Sequence, residues 1–374
     1  MKLKYLLVIL AFAVCLALVV LARQALSGEY KIHHVDFYDT GEDWAGFEFD
    51  NLNLSKDKSI FRIISSDNPG ILESPSIQAN FGFDEILISW NYVADPVQQG
   101  GIYIVLSLSP NNTQWHDFGY QIWGDIDSDS VGFASYPNSI RDIGYLDEDI
   151  IRLKKHMRYY KFRAVLYPDM ARLGILDRIS VCYTKTNANI KEFNKHSPPV
   201  NDIEPIKLAV PFKSQHWLPD SIAGLTCSPT SLSMVLNYSG FDFPTIMVSE
   251  FVYDPHNDIY GNWPYNVQAA YILSKRKSWV GRHNSFGELV DELNNGKPVV
   301  ISIAVKGDQT LSGAPYNQTD GHLIVVRGFD NAGNVLVNDP AGDNIEEGMV
   351  TYDIDELTAV WTGHQGVAYH LWPE

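Results

Sequence analysis

Cysteine is scarce in this chain, with three residues in 374, and one of them (Cys15) lies in an apolar N-terminal run. That leaves Cys182 and Cys227, too few for a disulfide scaffold. Positive charge is also short: 28 Lys and Arg stand against 45 Asp and Glu, for a net charge of -17. No basic patch interrupts the acidic excess, so nucleic acid is not an expected partner, because phosphate binding needs clustered cations. There is no Cys-x-x-Cys pair, no His-Glu-x-x-His and no glycine-rich phosphate loop, so no cofactor or metal is expected. A composition of 45% hydrophobic and 20% charged residues is that of an ordinary globular protein, long enough for about two domains.

Lys2 and Lys4 precede an unbroken apolar run from Tyr5 to Ala22, which ends before Arg23. This pattern reads as an export signal. Val20-Leu21-Ala22 is an acceptable cleavage site, while the length of the run also suits a retained membrane anchor. The expected location is therefore secreted, or anchored at the outer face of the membrane by residues 5–22. Val14 is too large for a good lipoprotein site at Cys15.

Residues 29–186 are a series of short strand-like runs separated by turn residues, with segments at 46–50, 85–93, 101–109, 159–167 and 176–184. No long helical period intervenes, and the pattern predicts an antiparallel β-sandwich, jelly-roll-like. Trp90, Trp115 and Trp123 offer a stacking surface for a sugar ring, although strand aromatics are more often core. Asp125, Asp127 and Asp129 alternate like a calcium loop but lack its glycine and its final Glu, which makes a solvated turn the better reading. Residues 187–205 are polar and contain prolines, as a linker would. Beyond them, 206–374 is a mixed α and β domain, with helices predicted at 266–274 and 285–295 and a buried strand at 298–304. The stretch 302–321 reads mostly as loop, and long loops inside compact domains tend to be functional.

Within this second domain, Cys227-Ser-Pro-Thr-Ser sits at a helix start. Pro229 suits the first helical position, which makes Ser228 the expected N-cap and turns Cys227 toward the positive end of the helix, where a thiolate is favoured. Leu232, Val235 and Leu236 form the buried stripe, and Gly240 closes the helix. A buried structural cysteine is the plainer alternative, and the strand-like surroundings of Cys182 argue against a Cys182–Cys227 bridge.

The segment 320–340 reads as a hairpin about a turn at Asn331 and Ala332. In that register His322 faces position 341, so His322 and Asp339 share one end of the hairpin. A histidine held by a carboxylate is what a thiol nucleophile needs as its base. Asn338 and Asp339 compete for that role, because neighbouring strand residues point to opposite faces. Asp339 is the chosen partner because Pro340 limits how it can point. Gln215 precedes Cys227 by twelve residues, and its amide is a candidate donor to an oxyanion.

Taken together, Val210-Pro211 with Gln215, Cys227-Ser-Pro-Thr-Ser with Met234, Gly261-Asn-Trp-Pro-Tyr-Asn266, Gly296-Lys-Pro-Val-Val300, Gly321-His322 and Val337-Asn-Asp-Pro340 resemble the cysteine peptidase family C39, related to the double-glycine leader peptidases, in its exported stand-alone branch. The resemblance implies a papain-like fold after the sandwich. It also implies Cys227 as nucleophile, His322 as base, Asp339 as orienter and Gln215 in the oxyanion hole. Ser228 departs from the glycine usual after the cysteine. The implied function is hydrolysis of peptide or isopeptide bonds in a peptide or protein substrate. A cell-wall amidase or endopeptidase, or a silent surface binding protein, are the alternatives, and a cell-wall or glycan ligand is the possible partner of the first domain.

Overall fold

The computed structural model describes residues 32–55, 61–65, 68–93, 100–124, 126, 136–168, 174–186 and 203–371. The segment 1–22, Asp125, Asp127, Asp129 and most of the linker 187–205 lie outside them. Among the described residues no helix is long and apolar enough to cross a membrane.

Before residue 187 every described strand pairing is antiparallel, within one hydrogen-bonded network of twelve strands. Two long strands, Ile77–Val93 and Ile150–Tyr167, organise it. The first pairs with Ile175–Thr184, and the second pairs with Gly101–Ser109 from Tyr159 to Tyr167. Long β-branched and aromatic runs suit such positions because both faces of the pleat are covered. Gly101–Ser109 is buried along nearly its whole length. Trp90 and Trp123 are buried here, and Lys161 Nζ lies 4.2 Å from the ring centroid of Trp115. The two buried rings belong to the core and offer no sugar-stacking face, since burying a large aromatic outweighs any gain from leaving it wet.

From residue 203 onward the chain builds a second antiparallel sheet, with strands Trp279–Arg282, Val367–His370, Val299–Val305, Thr319–Phe329, Val335–Asn338 and Met349–Tyr352 adjacent in that order. Helices Cys227–Tyr238, Thr245–Val252 and Trp263–Ser274 pack together. The last begins three residues earlier than predicted because Asn262 caps it, its side chain accepting from the Tyr265 N–H. The helix predicted at 285–295 forms as Phe286–Asn294, flanked by Ser285 and Asn295.

His33 to Glu374 form one compact unit. Strand Ile77–Val93 packs on helix Trp263–Ser274, and buried polar groups meet there in pairs. The Gln268 amide binds both backbone groups of Tyr92, accepting from its N–H at 3.0 Å and donating to its carbonyl at 2.5 Å. Asn91 does the same for Ser278, at 3.1 and 2.8 Å. Each amide therefore continues a backbone ladder across the contact. Losing either would leave two buried groups unpaired, at about 1–3 kcal/mol each. Arg282 adds an ion pair with Glu85 at 2.7 Å, and Glu85 also binds Arg152.

Candidate active site

Helix Cys227–Tyr238 starts two residues before the position that Pro229 suggested. Thr226 is its N-cap and makes no side-chain cap bond. The expected cap, Ser228, points instead to Tyr369, with its hydroxyl 2.8 Å from the phenol oxygen. Cys227 is thus the first helical residue, where the backbone N–H groups are unpaired within the helix and the dipole is positive. Ser228 to Leu236 are all buried, so the helix is enclosed rather than one-faced. Ser231 Oγ fastens it to the sheet by donating to the Leu323 carbonyl at 2.8 Å. Gly240 ends it with φ +90, which lets the Phe241 N–H reach the Leu236 carbonyl at 2.9 Å.

The hairpin differs from its predicted form in two ways that cancel. Its loop is longer because Asp330 Oδ1 accepts from the N–H groups of Ala332 and Asn334 at 2.8 and 2.9 Å, so Phe329 faces Val335. A bulge then falls between Val326 and Gly328, where φ of Gly328 is +154. Beyond it Val325 faces Asn338, the register that a turn at Asn331 and Ala332 would give. The chain turns back at Asp339, whose N–H donates to the Gly348 carbonyl at 2.7 Å.

That turn sends the Asp339 carboxylate to His322, with Nε2 2.7 Å from Oδ1. Asp339 is fully buried, and both its oxygens are engaged twice. Oδ1 also accepts from the Ala341 N–H at 3.0 Å, and Oδ2 accepts from the phenols of Tyr316 and Tyr352, each at 2.8 Å. Asn338 points elsewhere, donating to the Val210 carbonyl at 3.0 Å. It thereby fixes the segment that leads to Gln215. The Gln215 N–H donates to the Pro340 carbonyl at 2.9 Å, and its buried side-chain oxygen has no partner among the described residues.

Cys227 is half-buried, is a free thiol as is Cys182, and lies beside His322. Burial pushes its pKa up, but the hydrogen bond and charge of His322, together with the Leu323 N–H, bring it below the ordinary thiol value. For His322 burial acts downward, while Asp339 and then Cys227 raise the pKa to about 10. Burial acts upward on Asp339, and His322 with the other donors holds it below the usual carboxylate range. The directions for Cys227 and His322 both favour the thiolate–imidazolium form of the pair over the neutral one. With both ring nitrogens protonated, Nε2–H donates to Asp339 and Nδ1–H is left for the sulfur.

Tyr316 and Tyr352 escaped sequence reasoning. Tyr316 belongs to the stretch 302–321 flagged as a functional loop, which narrows to 306–318 between the flanking strands. Its ring stands edge-on to His322, with centroids 4.8 Å apart. Nothing in the local pattern marks Tyr352. Tyr352→Phe should destabilise the protein by about 1–3 kcal/mol, since it strips one bond from a buried carboxylate oxygen at constant packing. Denaturant midpoints at fixed m-value measure this, and an unchanged midpoint would show that the carboxylate does not need that bond.

A cleft of about 440 Å³ opens at Cys227. Gly224, Leu225 and Trp263 line it from the second half, and Asp147, Glu148 and Arg152 from the first. Asp149, behind them, is buried and accepts from the Trp263 N–H at 2.5 Å; burial raises its pKa to about 8. His364, also in the wall, has Nδ1 3.0 Å from Ser302 Oγ and is held neutral, chiefly by burial and then by Lys306, with a pKa of about 4.

Residues 207–369 match the Peptidase_C39 like family. Among solved structures, the chain is similar to a putative C39-like peptidase from Bacillus anthracis, at 22% identity and TM-score 0.35, covering 44% of this chain and 96% of that one. It is also similar to a double glycine motif protease from an AMS/PCAT transporter in complex with its leader peptide, at 21% identity and TM-score 0.28, covering 45% and 96%. The peptidase domain of Streptococcus ComA, a bifunctional ABC transporter of a quorum sensing pathway, aligns at 19% identity and TM-score 0.31, covering 45% and 99%. Among curated proteins no match was found.

Proposed function

We propose that this C39-like chain is a cysteine peptidase that hydrolyses peptide or isopeptide bonds through Cys227, His322 and Asp339, with Gln215 as an oxyanion donor. The observation that carries the reading is the series Asp339–His322–Cys227, which ends in a half-buried thiol lining an open cleft. The Cys227 thiolate attacks the carbonyl carbon, forming a C–S bond as the C=O electrons move to oxygen. Protonated His322 then gives its proton to the leaving nitrogen as the C–N bond breaks. A water loses a proton to His322 and attacks the thioester, which releases the acid and restores the thiolate–imidazolium pair. Asp339 keeps the ring oriented and stabilises its charge throughout. Gln215 and the Cys227 N–H are the proposed donors to the transient oxyanion.

Residues 29–186 are proposed as a β-sandwich accessory domain ahead of a papain-like half. The antiparallel network and the shared cleft wall support its having a part in substrate capture. A cell-wall or glycan ligand of that domain would have to use residues other than the buried Trp90 and Trp123. Export, with residues 5–22 cleaved or retained as an anchor, is proposed from the N-terminal pattern alone.

The test is alkylation of Cys227 by iodoacetamide as a function of pH. The rate should already be near its plateau at neutral pH, with a midpoint below that of an ordinary thiol. A midpoint at or above the ordinary thiol value would overturn the peptidase reading and favour a silent binding protein.

A further inference from the structure

At the edge of the second sheet, apart from the cleft, His283, Glu292 and His370 converge from three elements. His370 belongs to strand Val367–His370, Glu292 to helix Phe286–Asn294, and His283 directly follows strand Trp279–Arg282. One carboxylate oxygen, Glu292 Oε1, lies 2.9 Å from His283 Nε2 and 3.0 Å from His370 Nδ1. All three ligand-type atoms fall within 4.8 Å of one another. The rings are held in place: His283 stacks on His370 with centroids 5.2 Å apart, and Trp279 stacks on the other ring pair partner, His370, at 5.0 Å and an interplanar angle of 7°.

Hydrogen bonding within the group leaves it incompletely satisfied. His283 Nδ1 is buried and has no partner among the described residues. His33, from the first half, is 2% exposed, has neither ring nitrogen paired, and lies within electrostatic reach of His283 and His370. The unpaired nitrogens call for ordered water nearby, and a proton carried on His283 Nδ1 leaves Nε2 with a lone pair directed at Glu292, where a cation would sit. A cavity of about 280 Å³ adjoins the group, with Glu288, Asp291 and Lys297 among its lining residues, so water has access. None of its lining residues is shared with the cleft at Cys227.

We propose that His283, Glu292 and His370 form a binding site for a zinc-class divalent cation. Imidazole and carboxylate ligands favour zinc, cobalt, nickel or copper over magnesium and calcium, which prefer all-oxygen shells. Bonds of about 2.0–2.2 Å from one ion require ligand atoms separated by about 3–4 Å, so the two contacts to Glu292 Oε1, at 2.9 and 3.0 Å, need only a small adjustment. Water fills the remaining position. A site there joins the sheet edge to the helix that crosses it, and its role is structural. The usual metal motifs do not reveal it, because its ligands lie 9 and 78 residues apart in sequence.

The test uses the untagged full chain carrying Cys227→Ser, so that the active-site thiolate does not compete for metal, after treatment with a chelator and dialysis. Equilibrium dialysis should return close to one zinc per chain, and micromolar zinc should raise the thermal midpoint by several degrees, whereas magnesium or calcium should not. Glu292→Gln and His370→Asn, each verified as folded by circular dichroism in chelator, should lose both effects. If either variant fails to fold, visible d–d absorption of bound cobalt in the Cys227→Ser protein, indicating nitrogen and oxygen ligation, keeps the proposal testable. Zinc binding below one-fifth of an equivalent, an undiminished shift in a folded variant, or an equal response to magnesium would overturn it.

Discussion

Replacing Cys227 by alanine should lower peptide hydrolysis by roughly 10⁴-fold or more, because nucleophile and base act as a unit and no second thiol among the described residues is placed to substitute. Cys182 is buried, and burial raises its pKa to about 11, which keeps it inert. The fold should survive. Cys227 is a half-buried first helical residue, and alanine suits that position, so the stability change should be on the order of 1 kcal/mol. His322 would lose one of the partners that raise its pKa while keeping Asp339. The measurement is single-turnover cleavage of a peptide library beside a thermal melt. A variant that keeps more than a small fraction of activity would remove Cys227 from the mechanism.

The second large effect is expected from Asp339→Asn, compared with Asn338→Ala. Asp339 is the leading cause that raises His322, so the asparagine variant should let the imidazolium lose its proton well below pH 10. The thiolate then lacks its counter-charge at neutral pH, and the alkaline limb of the rate–pH profile should move to lower pH. At the optimum the loss should be about 5- to 150-fold, the equivalent of about 1–3 kcal/mol for a charged hydrogen bond. Stability should follow the same sign. A group whose pKa is raised in the folded state stabilises it fully below the unfolded value near 6.5, and that contribution fades as pH climbs through about 10. Asp339→Asn should therefore unfold more readily around neutral pH and differ less from the parent at strongly alkaline pH. Asn338→Ala should leave the profile's shape alone and instead loosen the Val210 segment, weakening the binding of substrate near Gln215. Should Asn338→Ala shift the alkaline limb and Asp339→Asn leave it in place, the two residues must exchange roles.

How much of this was legible beforehand follows the range of the forces involved. Period-two alternation and turn residues are local, and they marked strand Gly101–Ser109 to the residue. Hairpin geometry is also local, and it brought His322 and Asp339 to one end even though the loop was longer than predicted, since a bulge restored the register. The helix start was misread by two residues because Pro229 tolerates more than the first helical position, and Ser228 found a better partner in Tyr369 than in its own backbone. The aromatic residues of the first half gave no sign of which face they would take, because that depends on which strands cover them.

The sequence by itself determined the strand-rich first half, the mixed second half, the helix that presents Cys227 and the hairpin that presents His322 with Asp339, because each rests on interactions between residues close in the chain. Only the tertiary structure decided that Tyr316 and Tyr352 would saturate the carboxylate, that the first half would wall the cleft at Asp147 and Glu148, and that His283 and His370 would meet across Glu292. Those meetings join segments far apart in sequence, and their geometry is fixed by how sheets and helices pack, which no local periodicity encodes.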